Sequence, residues 1–555
     1  MYHPPRRLTL PPLRRNLPAA KSPGTLCPLN RARCIIRLDN SPVITQRSIV
    51  PTHRQLAILT VILVIAAFLR IYKCTETSLW MDELDSIELA MGNRTAHDFF
   101  PDAVIRYDHP DPLSLSSAAP WWHIWNQVQI TTHPPLYFVV LRWWIDAFGA
   151  RPAAVRSLSI LFSLAGIIIF FDLCRLIHGV PPALIAACIM ALAVGQIDIA
   201  QEARSYPLLI FLGLTSCDCV VRIKKRGATP RRLFYLMIFL VALLLTHYFS
   251  VGAFVGLMIY AATRVAGRDC KRVLGVFLLA AVGAAAAWGP QFLRQMRTVP
   301  NLDPSYTRED LPNHALQIML RASDLPLKYL CGDTFSDRFS QTIHLAVAAM
   351  VVALILLSRR RSDLFLWTLW GLGIILSVVA LDAAHHSILL QITRYTILAS
   401  PALMAILAAA RWPRWHLLPL IVIFLLTALA VVRECSEIPA KQDFRHLSLI
   451  IDSYAAPDEL LVFYNDSGWV APGVWYIGYE YYLPDSRRPW MTLRHPPSAI
   501  LLHSLQSREA FWLIGRTPDV DGPNLFPGFR PELVWHTTAG GVCLMRKSNS
   551  AHSIR

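Results

Sequence analysis

A series of long apolar segments between residues 55 and 432 constrains the fold of this chain more than any other feature. Each segment has roughly the 17–25 residues that a helix needs to cross the hydrocarbon layer of a membrane. Because backbone amides and carbonyls find no water in that layer, such segments fold as helices. The pattern predicts about eleven spanning helices, centred in 55–72, 154–177, 181–199, 205–221, 233–248, 249–264, 273–290, 341–358, 364–381, 394–410 and 415–432.

The net charge of +16 raises the question of nucleic-acid binding, and the positions of the basic residues answer it. Lys and Arg are concentrated before the first apolar segment and in four short loops, at 222–232, 264–272, 359–361 and 411–414. With eleven spans, all of these loops lie on the side of the N-terminus. Short cytoplasmic loops carry such an excess of basic residues. The distribution of basic residues therefore predicts a cytoplasmic N-terminus. Because it accounts for the positive charge, we expect no nucleic-acid partner.

The segment 134–149, PPLYFVVLRWWIDAFG, could be interpreted as a twelfth span. It is short, and its second half contains Arg142 and Asp146. Counting it as a crossing would also place the later basic loops on the opposite side. We therefore interpret it as an amphipathic helix in the outer interface, with Trp143 and Trp144 at the level of the lipid headgroups.

The composition divides the chain into three parts. Residues 1–54, rich in Pro and Arg, are predicted to form a disordered basic cytoplasmic tail. Residues 55–433 form the predicted transmembrane domain, with a long first outer loop at 73–153. Residues 440–555 lack long apolar segments and are predicted to form a small extracytoplasmic α/β domain. Its predicted elements are a helix at 443–455, strands at 459–464, 510–514, 533–536 and 542–545, and a hairpin turn at Gly540-Gly541.

An acidic motif, SLWMDELDS at 78–86, follows the first apolar segment. Its three carboxylates are costly to desolvate at a membrane boundary unless they face water or have a function. A solvated loop is one explanation. Other ionisable and aromatic residues also lie at the outer ends of predicted spans, which favours a shared site. They are Glu202, Arg204, His247, Tyr248, His385, His386, Arg394 and Tyr395.

An ordered set of motifs resembles the membrane glycosyltransferases of the protein-O-mannosyltransferase and aminoarabinose-transferase superfamily. The motifs, which span about 76–405, are SLWMDE, HPPLYFVVLRWW, FGARPAAVRSLS, AQEARSYPLL, THYFS and RYTILASPAL. The resemblance implies the C-type glycosyltransferase fold with juxtamembrane helices in the first outer loop. It also implies a polyprenyl-phosphate sugar donor used outside the cytoplasm, and a location in a bacterial inner membrane.

The resemblance also assigns residues to a site. The acidic motif of the family matches Asp82 and Glu83, and the position before the Pro-Pro pair matches His133. Its later outer-face motifs match Gln201, Glu202, Arg204, Tyr206, His247, Tyr248, Arg394 and Tyr395.

Sugar transfer from a phosphate-linked donor needs a base for the acceptor proton and positive charge for the departing phosphate. We predict Asp82 as the base, with Glu83 as the alternative or as an orienting group. One carboxylate base suffices for an inverting displacement. Asp85, outside the motif, is expected to be solvated or to cap a helix.

Arg204 and Arg394 are the predicted phosphate-binding residues, because a guanidinium matches phosphate oxygens and stays charged in apolar surroundings. Pairing with Glu202 is the alternative for Arg204, and extension toward the interface is the alternative for Arg394. His247 and Tyr248 could donate hydrogen bonds to the phosphate or sugar, or form a packed interfacial pair. The alternative for His133 is a purely structural role.

A divalent cation is possible, because the first outer loop is rich in oxygen and nitrogen ligands. These are Asp82, Glu83, Asp85, His97, Asp98, Asp102, Asp108, His109, Asp111, His123 and His133. The loop has no DxD or HExxH spacing to organise them, and the eleven cysteines form no CxxC pair, so we assign no metal ligands. Cys74, Cys331, Cys435 and Cys543 could face an oxidising compartment, with no pairing defined.

The leading prediction is a glycosyltransferase that moves a sugar from a polyprenyl phosphate to an extracytoplasmic lipid, envelope glycan or protein. A transporter or flippase for lipid-linked glycans is one alternative, and it is disfavoured because we find no inverted repeat of broken helices. The other alternative is a non-catalytic family member. The presence of Asp82 together with both arginines favours an enzyme.

Overall fold

A computed structural model describes residues 50–93, 95–127, 133–298, 314–357, 364–409, 417–437, 441–465, 471–494, 505–516 and 523–548. The predicted tail up to residue 49 and the basic loops at 359–361 and 411–414 lie outside these residues.

Helices dominate the described chain. The first ten are α1 (His53–Ile71), α2 (Met81–Met91), α3 (Ile124–Gln127), α4 (Leu136–Phe148), α5 (Pro152–His178), α6 (Val180–Leu192), α7 (Val194–Ala200), α8 (Tyr206–Arg226), α9 (Pro230–Leu244) and α10 (Ser250–Arg264). The next ten are α11 (Gly267–Thr298), α12 (His314–Cys331), α13 (Asp333–Ser336), α14 (Gln341–Leu357), α15 (Phe365–His385), α16 (Thr393–Thr396), α17 (Ser400–Ala409), α18 (Leu417–Ser436), α19 (Phe444–Tyr454) and α20 (Gly473–Tyr482).

Several of these helices are suited to a bilayer. Within the described residues, α1, α5, α8, α11 and α15 are long and apolar enough to cross it, and the pair α6–α7, bent by 59°, is a candidate sixth span. On α1, the side chains of Val61, Val64 and Phe68 are exposed, as lipid-facing residues are. The chain is thus an integral membrane protein. The described part of each predicted segment is mainly helical, but a total of eleven spans remains a prediction.

The segment 134–149 contains α4, which is amphipathic. Tyr137, Phe138 and Leu141 are buried, whereas Trp143 is half exposed. The 13 residues of α4 extend about 20 Å, which is shorter than the roughly 30 Å hydrocarbon layer. This length fits the interpretation of a helix that does not cross, and its interfacial position remains a prediction.

The acidic motif begins helix α2. The chain is extended at Trp80, and the backbone N–H of Trp80 donates to Glu83 at 3.4 Å. Asp82 and Glu83 occupy the first turn, where the helix dipole favours negative charge. The helix ends at Gly92, whose φ of 73° is a left-handed conformation that glycine adopts without strain. The local sequence thus places both acids at the start of a short helix.

The C-terminal residues that the structure describes form a five-stranded sheet in the order β2–β1–β3–β5–β4. The strands are β1 (Leu461–Asn465), β2 (Trp490–Arg494), β3 (Ala510–Gly515), β4 (Phe529–Thr537) and β5 (Gly540–Lys547). Strands β2, β1 and β3 are parallel, whereas β5 is antiparallel to β3 and β4. The predicted helix and four strands are found, whereas α20 and β2 were missed. Gly540-Gly541 starts β5 rather than forming the turn, because Thr537 pairs directly with Gly540.

This sheet unit contacts the first outer loop and holds the acidic motif in place. The backbone N–H of Leu79 donates to the Tyr482 hydroxyl at 2.7 Å, and that of Met81 donates to Gln442 Oε1 at 3.0 Å. Farther along the loop, the Trp490 indole donates to the carbonyl of Asp108 at 2.8 Å. The C-terminal residues therefore help to orient α2.

Candidate active site

Asp82 lies between two arginines that come from distant parts of the chain. Its Oδ2 is 3.2 Å from Arg394 Nη1 and 3.6 Å from Arg204 Nη2. The Asp82 side chain keeps 15% of its surface exposed, so a ligand can still reach the carboxylate. The structure therefore brings together the predicted base and both predicted phosphate-binding residues.

Arg204 is held in the bend between α7 and α8. Its Nη1 donates to the Asp82 carbonyl at 2.9 Å and to Ser86 Oγ at 3.2 Å, and its Nη2 lies 3.0 Å from His133 Nε2. The ion pair of Arg204 is thus with Asp82, and the alternative pairing with Glu202 is not formed. His133 contacts the guanidinium directly, which gives it a place at the site.

Arg394 lies on α16, a short helix that precedes α17. Its guanidinium stacks 5.2 Å from the Trp80 ring and 5.8 Å from the Tyr395 ring. Such cation–π contacts orient the guanidinium without using its N–H donors. Within the described chain, Nε of Arg394 and Nε of Arg204 are buried without a hydrogen-bond partner. Both arginines thus retain donor capacity for an anionic ligand.

Glu83 has a different environment from Asp82. It is fully buried and forms a two-point ion pair with Arg156 of α5, with Nε–Oε1 at 2.8 Å and Nη2–Oε2 at 2.5 Å. Its Oε1 also accepts the backbone N–H of Ala203 at 2.8 Å. Arg156 in turn donates to the carbonyl of Ser78 at 2.9 Å. This arrangement fits an orienting group and joins the start of α2 to α5 and to the bend that carries Arg204.

Sequence reasoning did not assign Arg156 to the site. The available signal was an arginine in the first turn of an apolar span, within the motif FGARPAAVRSLS. A charged residue at that position usually extends to the interface. Its burial becomes evident only when Glu83 is placed opposite it.

Glu202 forms part of a polar cavity beside the arginine pair. Its Oε1 is 2.9 Å from the Nζ of Lys441, a residue that sequence reasoning also missed. The cavity has a volume of about 410 Å³ and is lined by Arg394, Glu202 and Lys441 together with Lys328, Asp333 and Arg433. A charged cavity of this size beside the arginine pair can hold the polar part of a ligand.

Aromatic residues surround the other side of Arg204. The His247 ring lies 5.1 Å from that of His133 and 5.5 Å from that of Tyr206. The Tyr206 hydroxyl and His247 Nε2 are buried and have no hydrogen-bond partner among the residues that the structure describes. These two groups are available to a ligand. They belong to the predicted site.

Tyr248 is directed elsewhere. Its hydroxyl donates to Gln295 and accepts the Trp288 indole N–H, both from α11. This geometry fits the packed alternative for Tyr248. Gln201 also has a structural environment, because its amide donates to the carbonyls of Leu69 and Tyr72 at 3.0 and 2.9 Å.

A second polar cluster lies farther along α2. His97 Nδ1 is 2.5 Å from Glu88 Oε2, and its Nε2 is 3.8 Å from Asp85 Oδ1. Burial raises the pKa of Asp85 to about 7, although the neighbouring His97 opposes this shift. Burial lowers the pKa of His97, but the adjacent Glu88 outweighs it and raises that pKa to about 10. The expectation that Asp85 is simply solvated is therefore incomplete, because one of its oxygens is shielded from water.

Comparison with known proteins finds no matching family model and no curated relative. Solved structures with a similar chain layout include an oligosaccharyltransferase of Archaeoglobus fulgidus tethered with an acceptor peptide, at 13% identity and a TM-score of 0.40, over 80% of this chain and 64% of that chain. ArnT from Cupriavidus metallidurans bound to undecaprenyl phosphate is similar at 12% identity and a TM-score of 0.41, over 90% and 99% of the two chains. The chain thus spans 64% of the length of the first of these structures.

Proposed function

We propose that this chain is a membrane glycosyltransferase that moves a sugar from a polyprenyl-phosphate donor to an acceptor outside the cytoplasm. The observation that carries the proposal is the convergence of Arg204 and Arg394 on Asp82 beside a polar cavity. One site then contains a carboxylate base and two cations for a departing phosphate. The resemblance of the sequence motifs supports the same donor class.

In this proposal, the arginines bind the donor phosphate through N–H groups that Asp82 does not use. Guanidinium and phosphate form short, charge-assisted hydrogen bonds, often two at a time. Arg394 lines the cavity, and its Nε faces no acceptor among the described residues. Phosphate binding would draw the guanidiniums toward the donor and leave Asp82 more open to the acceptor.

The transfer step follows from these positions. Asp82 takes the proton of the acceptor nucleophile while that atom bonds to the anomeric carbon of the sugar. The bond from this carbon to the phosphate oxygen breaks, and the lipid phosphate leaves with the electron pair. A single displacement of this kind inverts the anomeric centre. We assign Glu83 a positioning role, because Arg156 occupies both of its oxygens.

The remaining residues would surround the donor. We propose that Tyr206 and His247 donate to the phosphate or sugar beside Arg204, and that His133 and Tyr395 orient the two guanidiniums. Glu202 and its partner Lys441 would contact the donor at the cavity wall. We also propose that the enzyme resides in a bacterial inner membrane, with residues 440–555 on the outer side.

A transfer assay with Asp82→Asn tests the proposal. Native membranes would receive radiolabelled polyprenyl-phosphate sugars, and label would be followed into lipid, glycan and protein. We expect Asp82→Asn to lose at least about 100-fold in rate, as the loss of a general base predicts. Asp108→Asn is the matched control, because that exposed acid pairs with Arg106 away from the site. Wild-type activity in Asp82→Asn would refute the base assignment.

Two substitutions of Arg394 test donor recognition. Arg394→Lys keeps the charge but removes the planar fork, whereas Arg394→Ala removes both. We expect each to raise the KM for the donor more than the KM for the acceptor, with the larger effect for Ala. Equal effects on the two substrates would contradict a phosphate-binding role.

A further inference from the structure

We propose that His97, Asp85 and Asp98 form a binding site for one divalent transition-metal ion, of which Zn²⁺ is the best match, with Glu88 supporting the histidine. This site is separate from the Asp82 site and does not depend on the proposed transfer reaction. It lies where the first outer loop turns back onto α2.

The orientation of His97 is the first observation. Glu88 Oε1 accepts the backbone N–H of His97 at 3.1 Å, while Glu88 Oε2 lies 2.5 Å from Nδ1. Ionised Glu88 can only accept, so the proton of neutral His97 lies on Nδ1 and the lone pair lies on Nε2. Metal-bound histidines have this arrangement, in which a carboxylate receives the other ring N–H and fixes the tautomer.

The surroundings of Nε2 are the second observation. Asp98 Oδ1 lies 3.5 Å from it, and Asp85 Oδ1 lies 3.8 Å from it. Both distances are too long for a direct hydrogen bond. Two ligands at about 2.0–2.1 Å from a tetrahedral ion lie roughly 3.4 Å apart. The separation of each carboxylate oxygen from Nε2 is therefore close to that between two ligands of one zinc ion, and one imidazole with two carboxylates is a donor set that zinc accepts.

The charge of the cluster is the third observation. It contains three carboxylates and a single imidazole, so it is negative even when His97 is protonated. Glu88 is fully buried and His97 nearly so, and Asp85 Oδ1 has no hydrogen-bond partner in the described residues. Of the cations that the structure describes nearby, Arg204 pairs with Asp82, and Arg494 donates to the backbone carbonyl of Asp98. Buried charges are ordinarily paired or bound to a metal, and this cluster has a deficit of positive charge.

The backbone of the site is held rigidly. Glu88 belongs to α2, and His97 is pressed against the start of α20, where a side chain at Gly473 would collide with the His97 carbonyl. Ligands on such fixed elements need little rearrangement to bind an ion. A bound ion would join α2 to the turn at His97 and so stabilise the first outer loop.

Metal titration of the purified full-length protein tests the site. The protein, prepared without a histidine tag and dialysed against a chelator, is titrated with ZnCl₂ by calorimetry. We expect one equivalent to bind the wild type, and Asp98→Asn and His97→Gln to weaken binding at least about 10-fold, as for other lost metal contacts. Asp108→Asn, in the same loop, is expected to bind as the wild type does.

A second measurement keeps the test independent of folding defects. Asp98 is partly exposed, so Asp98→Asn removes a ligand atom without removing buried packing. At one zinc concentration, the melting temperature of the wild type should rise more than that of Asp98→Asn, because stabilisation by a ligand grows with its affinity for the folded state. Two results would overturn the proposal: no saturable 1:1 binding to the wild type, or equal affinity of the wild type and Asp98→Asn. The cluster would then be a set of ion pairs with protonated His97.

Discussion

At the scale of single residues, two neighbouring acids have opposite environments. Asp82 is partly exposed and contacts two arginines, whereas Glu83 is fully buried against Arg156. Successive residues on a helix point about 100° apart, so adjacent carboxylates at the start of α2 face different neighbours. The proposed base and the proposed positioning residue are thus two neighbouring acids that look equivalent in sequence but have different surroundings.

This division predicts different effects of two matched substitutions. Glu83→Gln leaves the charge of Arg156 buried without its carboxylate, and breaking such a pair costs about 3–5 kcal/mol of folding free energy. We expect a clearly lower melting temperature in detergent for Glu83→Gln and a near-normal one for Asp82→Asn. An inactive Glu83→Gln protein with wild-type stability would instead make Glu83 a reacting group.

At the scale of elements, the two arginines that contact Asp82 lie where helices are interrupted. Arg204 lies in the bend between α7 and α8, and Arg394 lies on short α16 before α17. Irregular backbone at such places is tolerated where it is buried in protein or lines a cavity. Close packing of backbone positions α20, because Gly473 lies directly against the first outer loop.

A pair of glycine substitutions tests the contact of α20. A Cβ at position 473 would collide with the His97 carbonyl, whereas a Cβ at Gly283 in α11 would meet no atom within 4 Å. We expect Gly473→Ala to lower the melting temperature and to speed proteolysis of residues 440–555. Gly283→Ala should be neutral or stabilising by up to about 1 kcal/mol, because alanine favours helix. Equal behaviour of the two variants would argue against a tight α20 contact.

At the scale of the whole molecule, the membrane helices and the C-terminal sheet together build the site. Lys441 contacts Glu202 at 2.9 Å, and Tyr482 and Gln442 bind the backbone of the acidic motif. An outer location of residues 440–555 follows only if the chain crosses the membrane an odd number of times. The positions of the basic loops predict this odd number.

Protease protection tests the predicted orientation. Epitope tags would be added before residue 1 and after residue 555. In right-side-out spheroplasts, we expect protease to remove the C-terminal tag and spare the N-terminal one, with the reverse result in inverted vesicles. Removal of both tags from the same side would mean an even number of spans and would contradict the eleven-span prediction. An intact cytoplasmic marker protein serves as the sealing control.

The sequence by itself determined where the long helices form and pointed to an acid and two arginines that the structure brings together. Apolar segments of membrane-spanning length and the motif around Asp82 are local patterns, and the structure confirms helices in the described part of each segment. Only the tertiary structure decided the partners: Arg204 with Asp82, Glu83 with Arg156, and Glu202 with Lys441. These partners are far apart along the chain, and their contacts depend on how helices pack and where they bend. Helical periodicity does not encode that packing, so the pairings had to be observed.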